Sequence, residues 1–314
     1  MRRLILTAAA ALALAAPAFA ASEQKHPMDV KFGFESPLVG YDMAAVQRGF
    51  QVYKEVCASC HGLRLLSFRN LGEKGGPFVG YFERTKEGTN EFHPGQGEHG
   101  APAAPGDNPL IKGLAASYCF NGDKFDYDGY CTQDPAGKCI VKQPTPGPDG
   151  STPVLPAAAS NAQCRNGSAT DRFPNPYRTE AEAAEVNGAV PPDLSLIVKA
   201  RHGGARYVYS ILEGYNEKPP AGEEVPAGKH YNPYFPGGFI SMPFQLTPDR
   251  VTYDDGTKAT SAQMAHDVVE FLAWAAEPKR DARKTTGILA LIFLSILALL
   301  TFASYKRIWR NVEH

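Results

Sequence analysis

The stretch VCASCHG, residues 56 to 62, sets Cys57 and Cys60 two residues apart and places His61 directly after the second thiol. Three chemistries use such a set: a dithiol redox pair, half of a zinc site, or covalent attachment of a haem. A zinc site needs a second close ligand pair, and the remaining cysteines, at 119, 131, 139 and 164, are spaced too widely to supply it. A redox pair calls for a strand leading into a helix and gives the histidine no task. Haem attachment employs all three residues. Cys57 and Cys60 would add to the two vinyl groups as thioethers, and that tether places His61 under the porphyrin plane as an axial iron ligand.

The opposite face of the iron decides the chemistry. An open position permits ligand binding or peroxide reduction, as in a membrane-anchored haem enzyme such as a peroxidase or a reductase subunit, whereas a second protein ligand leaves electron transfer. Met28, Met43, Met242, Met264, His93, His99, His202, His230 and His266 are the candidates. Met43 lies too close to the motif's own helix to reach over easily, and Met264 falls on the apolar face of a second helix. Met242 lies in NPYFPGGFISMPFQL, where Gly, Pro and aromatic residues can bring a side chain close to a flat apolar ring.

Two amphipathic helices must position these groups. Asp42 can cap a helix whose apolar positions Val46, Phe50, Tyr53 and Cys57 recur at helical spacing and lead into the motif, with Gly49 permitting a close crossing by another backbone. A second helix begins at TSAQ, residues 260 to 263, a capping-box pattern. It carries Met264, Val268, Phe271, Leu272 and Ala275 on one face and ends at Pro278. Between them, roughly residues 93 to 176 are dense in Pro, Gly, Asn and Ser, which favours loops. Cys119, Cys131, Cys139 and Cys164 fall in this stretch and are expected to form two disulfides. Of three possible connectivities, the sequential one, Cys119 with Cys131 and Cys139 with Cys164, closes the shorter loops.

A chain of 314 residues with 43% hydrophobic residues can bury a real core in one or two domains. Residues 1 to 20 read as a cleaved signal peptide: Arg2 and Arg3, an apolar run, then Ala18-Phe19-Ala20. Gly287 to Ser304 offers an uncharged run that nearly crosses a hydrocarbon core of about 30 Å, with Tyr305 and Trp309 as interfacial aromatics. The expected layout is an exported haem domain over residues 21–282, a transmembrane anchor over 283–305 and a cytoplasmic tail over 306–314. The net charge of −1 gives nucleic acid no compositional support as a partner. Two arginines belong to the leader, and residues 283–314 hold five basic groups against one acid, so the exported part carries −7. That balance suits a basic soluble partner.

VCASCHGL, NGAVPPDLSLIVKARHGGARYVYSILEGY, YNPYFPGGFISMPFQL and DDGTKATSAQMAHDVVEFLAWAAEPKRDARK, followed by the anchor, resemble in that order the cytochrome c1 family, the membrane-anchored haem subunits of the cytochrome bc1 complex. The resemblance covers most of the exported part outside residues 93–170. It implies a mainly α, class I cytochrome c-type haem domain with a long loop insertion and one C-terminal transmembrane helix. It also implies one covalently attached haem c, with Cys57 and Cys60 as thioether sites and His61 and Met242 as axial ligands. Arg201, by its place in KARHGG, resembles an arginine near a haem propionate, and Pro191 and Pro192 resemble haem-pocket prolines. The implied partners are the cytochrome b and Rieske iron-sulfur subunits in a dimeric complex, with cytochrome c as electron acceptor, lipid around the anchor, and quinol oxidation left to cytochrome b. The implied place is the bacterial inner membrane, single-pass, with the haem domain in the periplasm and no catalytic site of its own.

Overall fold

The computed structural model describes residues 24–95, 101–121, 131–133, 139–141, 164–177 and 179–311. The expected signal peptide, residues 1–20, and residues 312–314 lie outside them. Helices α1 (Met43–Glu55) and α2 (Phe68–Gly72) come first, then strands β1 (Gly80–Arg84), β2 (Asn90–Pro94) and β3 (Ala101–Pro102) in one small sheet. Helix α3 (Pro109–Ala116) precedes four short strands, β4 (Cys119–Asn121), β5 (Cys131–Gln133), β6 (Cys139–Val141) and β7 (Cys164–Asn166). Helices α4 (Glu180–Asn187), α5 (Ile197–Ala200) and α6 (Gly204–Glu213) follow, then a ribbon of β8 (His230–Tyr231) and β9 (Phe239–Ile240). Helices α7 (Ser261–Ala276) and α8 (Arg280–Trp309) close the chain.

The core is built where α1 crosses α7. Asp42 caps α1 by accepting from the Ala44 and Ala45 amides at 3.0 and 3.3 Å. A Cβ on Gly49 would sit 1.9 Å from the Asp267 carbonyl oxygen, so only glycine lets the two backbones approach this closely. Around the crossing, the rings of Phe50 and Tyr53 lie 5.5 and 5.7 Å from Phe271. Both also touch Phe173. Met264, Val269 and Trp274 are fully buried, which makes α7 the spine of the domain.

A charged pair pins the same crossing. Asp267 is fully buried, and Arg48 donates to its two oxygens at 2.9 and 3.1 Å. Two parallel N–H bonds of this kind satisfy a buried carboxylate that isolation would heavily penalise. The TSAQ pattern is only half realised as a capping box: Thr260 accepts from the Gln263 amide at 3.2 Å, but the Gln263 side chain turns forward to Asp267 at 3.0 and 3.1 Å. The buried acid competes successfully for that donor.

The stretch expected to favour loops contains a helix. Asn108 accepts from the Leu110 amide at 2.9 Å with Pro109 in the first turn, and α3 then buries Ile111 and Ala115 in the core. Strand β4 pairs antiparallel with β7, and β5 with β6, so backbone links join the two ends of the segment. The side chains of Cys119, Cys131, Cys139 and Cys164, and with them the expected disulfides, lie outside the described residues.

Helix α8 is 30 residues long, about 45 Å at about 1.5 Å per residue, enough to cross a membrane. Its long apolar stretch is buried against none of the described residues.

Candidate haem site

Helix α1 runs out at Glu55, and a single 3-10 turn, Cys57–Ser59, follows. The amides of Cys60 and His61 both donate to the Cys57 carbonyl, at 3.1 and 2.9 Å. One turn therefore gathers both thiols and the imidazole. The Tyr53 hydroxyl, one helical turn earlier, donates to the His61 carbonyl at 3.1 Å and fixes the turn to the helix.

His61 is oriented from the other side. Its Nδ1 lies 2.8 Å from the Pro192 carbonyl oxygen, which makes Nδ1 the protonated nitrogen and leaves Nε2 with a free lone pair. Burial lowers the imidazole's pKa, outweighing the Pro192 carbonyl and Asp193, so the ring is held neutral as a metal requires. Pro192 itself is held by a run of bonds between residues 61–65 and 192–195. Gly62 O accepts from the Leu194 amide at 2.9 Å, Asp193 accepts from the Arg64 and Ser195 amides at 2.9 and 3.0 Å, and Ser195 Oγ accepts from the Leu65 amide at 3.1 Å. Sequence reading overlooked Asp193; its position between Pro192 and Ser195, as an Asx-turn former, was the available signal.

Burial, with Cys60 beside it, pushes the Cys57 thiol up to about 12. A thiol held in that form is a poor redox nucleophile, which disfavours the dithiol chemistry. Cys60 lies 3.7 Å from the Tyr177 hydroxyl, which also meets Asn187 at 3.3 Å at the end of α4.

Met242 comes two residues after β9. The turn before it uses Gly237 and Gly238 at φ of 79° and 78°, a left-handed pair that only glycine enters cheaply. Asn232, fully buried, donates to the Ile211 carbonyl at 2.7 Å and accepts from the Tyr234 amide at 3.1 Å, tying this ribbon to α6. The Tyr215 hydroxyl donates to the Met242 carbonyl at 2.8 Å, and the half-buried Met242 side chain packs against the core. Arg201, just after α5, is exposed; it donates to the Ala200 carbonyl at 3.2 Å and makes no ion pair among the described residues. Pro191 is half-buried. Among the other candidate ligands, Met264 is core, His266 stacks on Phe32 with ring centroids 4.8 Å apart, and His93 stacks on Tyr81 at 5.3 Å. His99 lies outside the described residues.

A neutral imidazole with one free nitrogen, two thiols in the same turn and a separately braced thioether fit a covalently held haem. A profile described as the Cytochrome C1 family matches residues 32–97 and 151–312. The chain belongs to the cytochrome c1 family. Residues 98–150 fall between the matched segments, so three of the four loop cysteines stand outside the family pattern while Cys164 stands inside it. The chain is 36% identical over 302 residues to "Cytochrome c1, heme protein, mitochondrial" of Saccharomyces cerevisiae, covering 96% of this chain and 78% of the yeast protein. It is 38% identical over 290 residues to "Cytochrome c1" of Rhodospirillum rubrum, covering 87% of this chain and 84% of that one. A relative named "Cytochrome b-c1 complex catalytic subunit, mitochondrial", from Candida albicans, is 38% identical over 296 residues, covering 94% of this chain and 81% of its own.

Proposed function

We propose that this chain is the electron-transfer subunit of a cytochrome bc1 complex, taking one electron from the Rieske iron-sulfur protein and delivering it to a cytochrome c. When bound, a single haem c supplies the one-electron couple. Cys57 and Cys60 would hold it as thioethers, His61 Nε2 and the Met242 sulfur would ligate its iron, and Arg201 would pair with a propionate. The remaining residues do positional work. Pro192 and Asp193 aim His61, while Tyr215 and Asn232 brace the loop that carries Met242. No substrate bond is made or broken at this site; quinol oxidation belongs to cytochrome b.

The observation that carries this reading is the bracing of two separate loops, one behind the imidazole and one behind the thioether. An imidazole and a thioether both ligating the iron would leave it to electron transfer, and the thioether would raise the potential above that of two histidines. The leader would be removed after residue 20, the haem domain would face the periplasm of a bacterial inner membrane, and residues 306–314 would stay in the cytoplasm. Lipid surrounds the anchor, and the complex is a dimer.

Carbon monoxide and a redox titration test the site together. The reduced native complex is expected to leave carbon monoxide unbound at neutral pH. In Met242→Leu the haem stays attached, the potential falls, and carbon monoxide binds. A carbon monoxide adduct in the native protein would establish the open-site haem enzyme instead.

A further inference from the structure

The segment just before α1 exposes apolar side chains where the chain meets its anchor. Leu38 is 82% exposed and Val39 48% exposed, and Ser36 to Gly40 carries no charge. The nearest acid, Glu35, is paired with Arg206 at 2.9 Å. An uncharged five-residue tip that leaves two adjacent apolar side chains exposed offers a surface for something to cover.

Its position is fixed by the first turns of α8. Lys284 Nζ donates to three carbonyls of this segment, Phe34 at 2.7 Å, Ser36 at 2.6 Å and Val39 at 2.8 Å. Asp281 accepts from the Tyr41 amide at 3.1 Å. A Cβ on Gly40 would sit 2.5 Å from Asp281 Oδ2, so glycine lets the two meet. The Arg280 guanidinium lies 5.0 Å over the buried Phe34 ring. The tip and the anchor therefore move as one piece.

Lys284 precedes the uncharged run that starts at Gly287 by three residues, about 4.5 Å along the helix axis at about 1.5 Å per residue. A bilayer of about 40–45 Å around a core of about 30 Å leaves a headgroup layer of about 5–7 Å on each side. With α8 along the membrane normal, the Lys284 backbone falls within that layer, and its ammonium ties the segment to it.

We infer that Ser36–Gly40 is a second membrane contact, with Leu38 and Val39 seated in the lipid headgroup layer and Lys284 and Asp281 fixing their depth. The inference rests on the reading of α8 as a membrane span. Two contacts at different points on the domain restrain its tilt, which one helix alone leaves free.

A nitroxide on Leu38→Cys tests this in the purified complex reconstituted into phosphatidylcholine vesicles, with signal from the unsubstituted complex subtracted. Relaxation by oxygen, which concentrates in lipid, is compared with relaxation by a water-soluble nickel chelate. Lipid seating gives oxygen the advantage. An advantage for nickel would place the tip in water, and protection from both would place it against another subunit; either overturns the inference. Adding Lys284→Met is expected to move the label toward nickel, and Gly40→Ala, which leaves every charge in place, does the same should the lysine variant not assemble. No movement in the assembled variants would overturn the clamp. A label at Ile296, in the middle of α8, reports the span separately, and the haem spectrum of the same sample reports the electron-transfer reading, so each can fail on its own.

Discussion

The residue most out of keeping with its surroundings is Glu270. It is 1% exposed on α7; Oε1 accepts from the Asp42 amide at 3.0 Å, while Oε2 has no partner among the described residues. Burial raises its pKa to about 7, with the carboxyl groups of Asp42, Asp267 and Asp281 adding to the rise. An acid whose folded value lies above its unfolded one binds its proton more tightly in the native state. Its contribution is therefore present at low pH and is lost as pH climbs from about 4.5 through about 7, by up to about 3 kcal/mol. Glu270→Gln, which keeps an acceptor for Asp42, is expected to remove that decline. Thermal unfolding of the complex at about pH 5 and about pH 7.5 checks it: the gap between the two Tm values should narrow in the variant. At this scale the sequence was partly legible. The attachment triplet stood out because three reactive side chains in five positions serve few purposes. Asp193, Asn232 and Tyr215 did not, because an Asx turn, a buried amide and a phenol at a loop acquire meaning only when distant segments meet.

At the scale of elements, α1 and α7 could be read from periodicity, and the crossing from Gly49. Gly49→Ala is expected to push α1 off α7 and destabilise the domain by about 3 kcal/mol or more, since the added methyl meets main chain that cannot rotate away. The check is a lowered midpoint in denaturant with the haem spectrum as probe; an unchanged midpoint would show that the backbones can separate freely. Helix α3 escaped notice because abundant Gly and Pro nearby masked an Asn-Pro start signal. Helices α4 and α5 carry too little helical periodicity over 8 and 4 residues to be separated from loops, whereas α6 shows a helical apolar face in Ala205, Val208 and Ile211.

Over the whole molecule, charge is distributed unevenly along the chain. With two basic groups in residues 1–20 and a surplus of four at residues 283–314, residues 21–282 hold −7. Electron delivery to a basic cytochrome c is expected to slow as salt rises from about 0.05 to about 0.2 M, because screening shortens the reach of surface charge. Stopped-flow rates across that range decide it; a flat profile would mean that docking is governed by apolar contact.

The pairing of Arg48 with Asp267 joins residues 219 apart in the chain. A polypeptide emerging from its N-terminus exposes the attachment motif long before α7 exists to cover the helix that leads into it. Through most of synthesis the helix leading into Cys57 and Cys60 thus lacks its α7 partner, which would leave the proposed thioether sites more open to attachment. Helix α7, late in the chain, would close this crossing only once nearly all of the chain has been made.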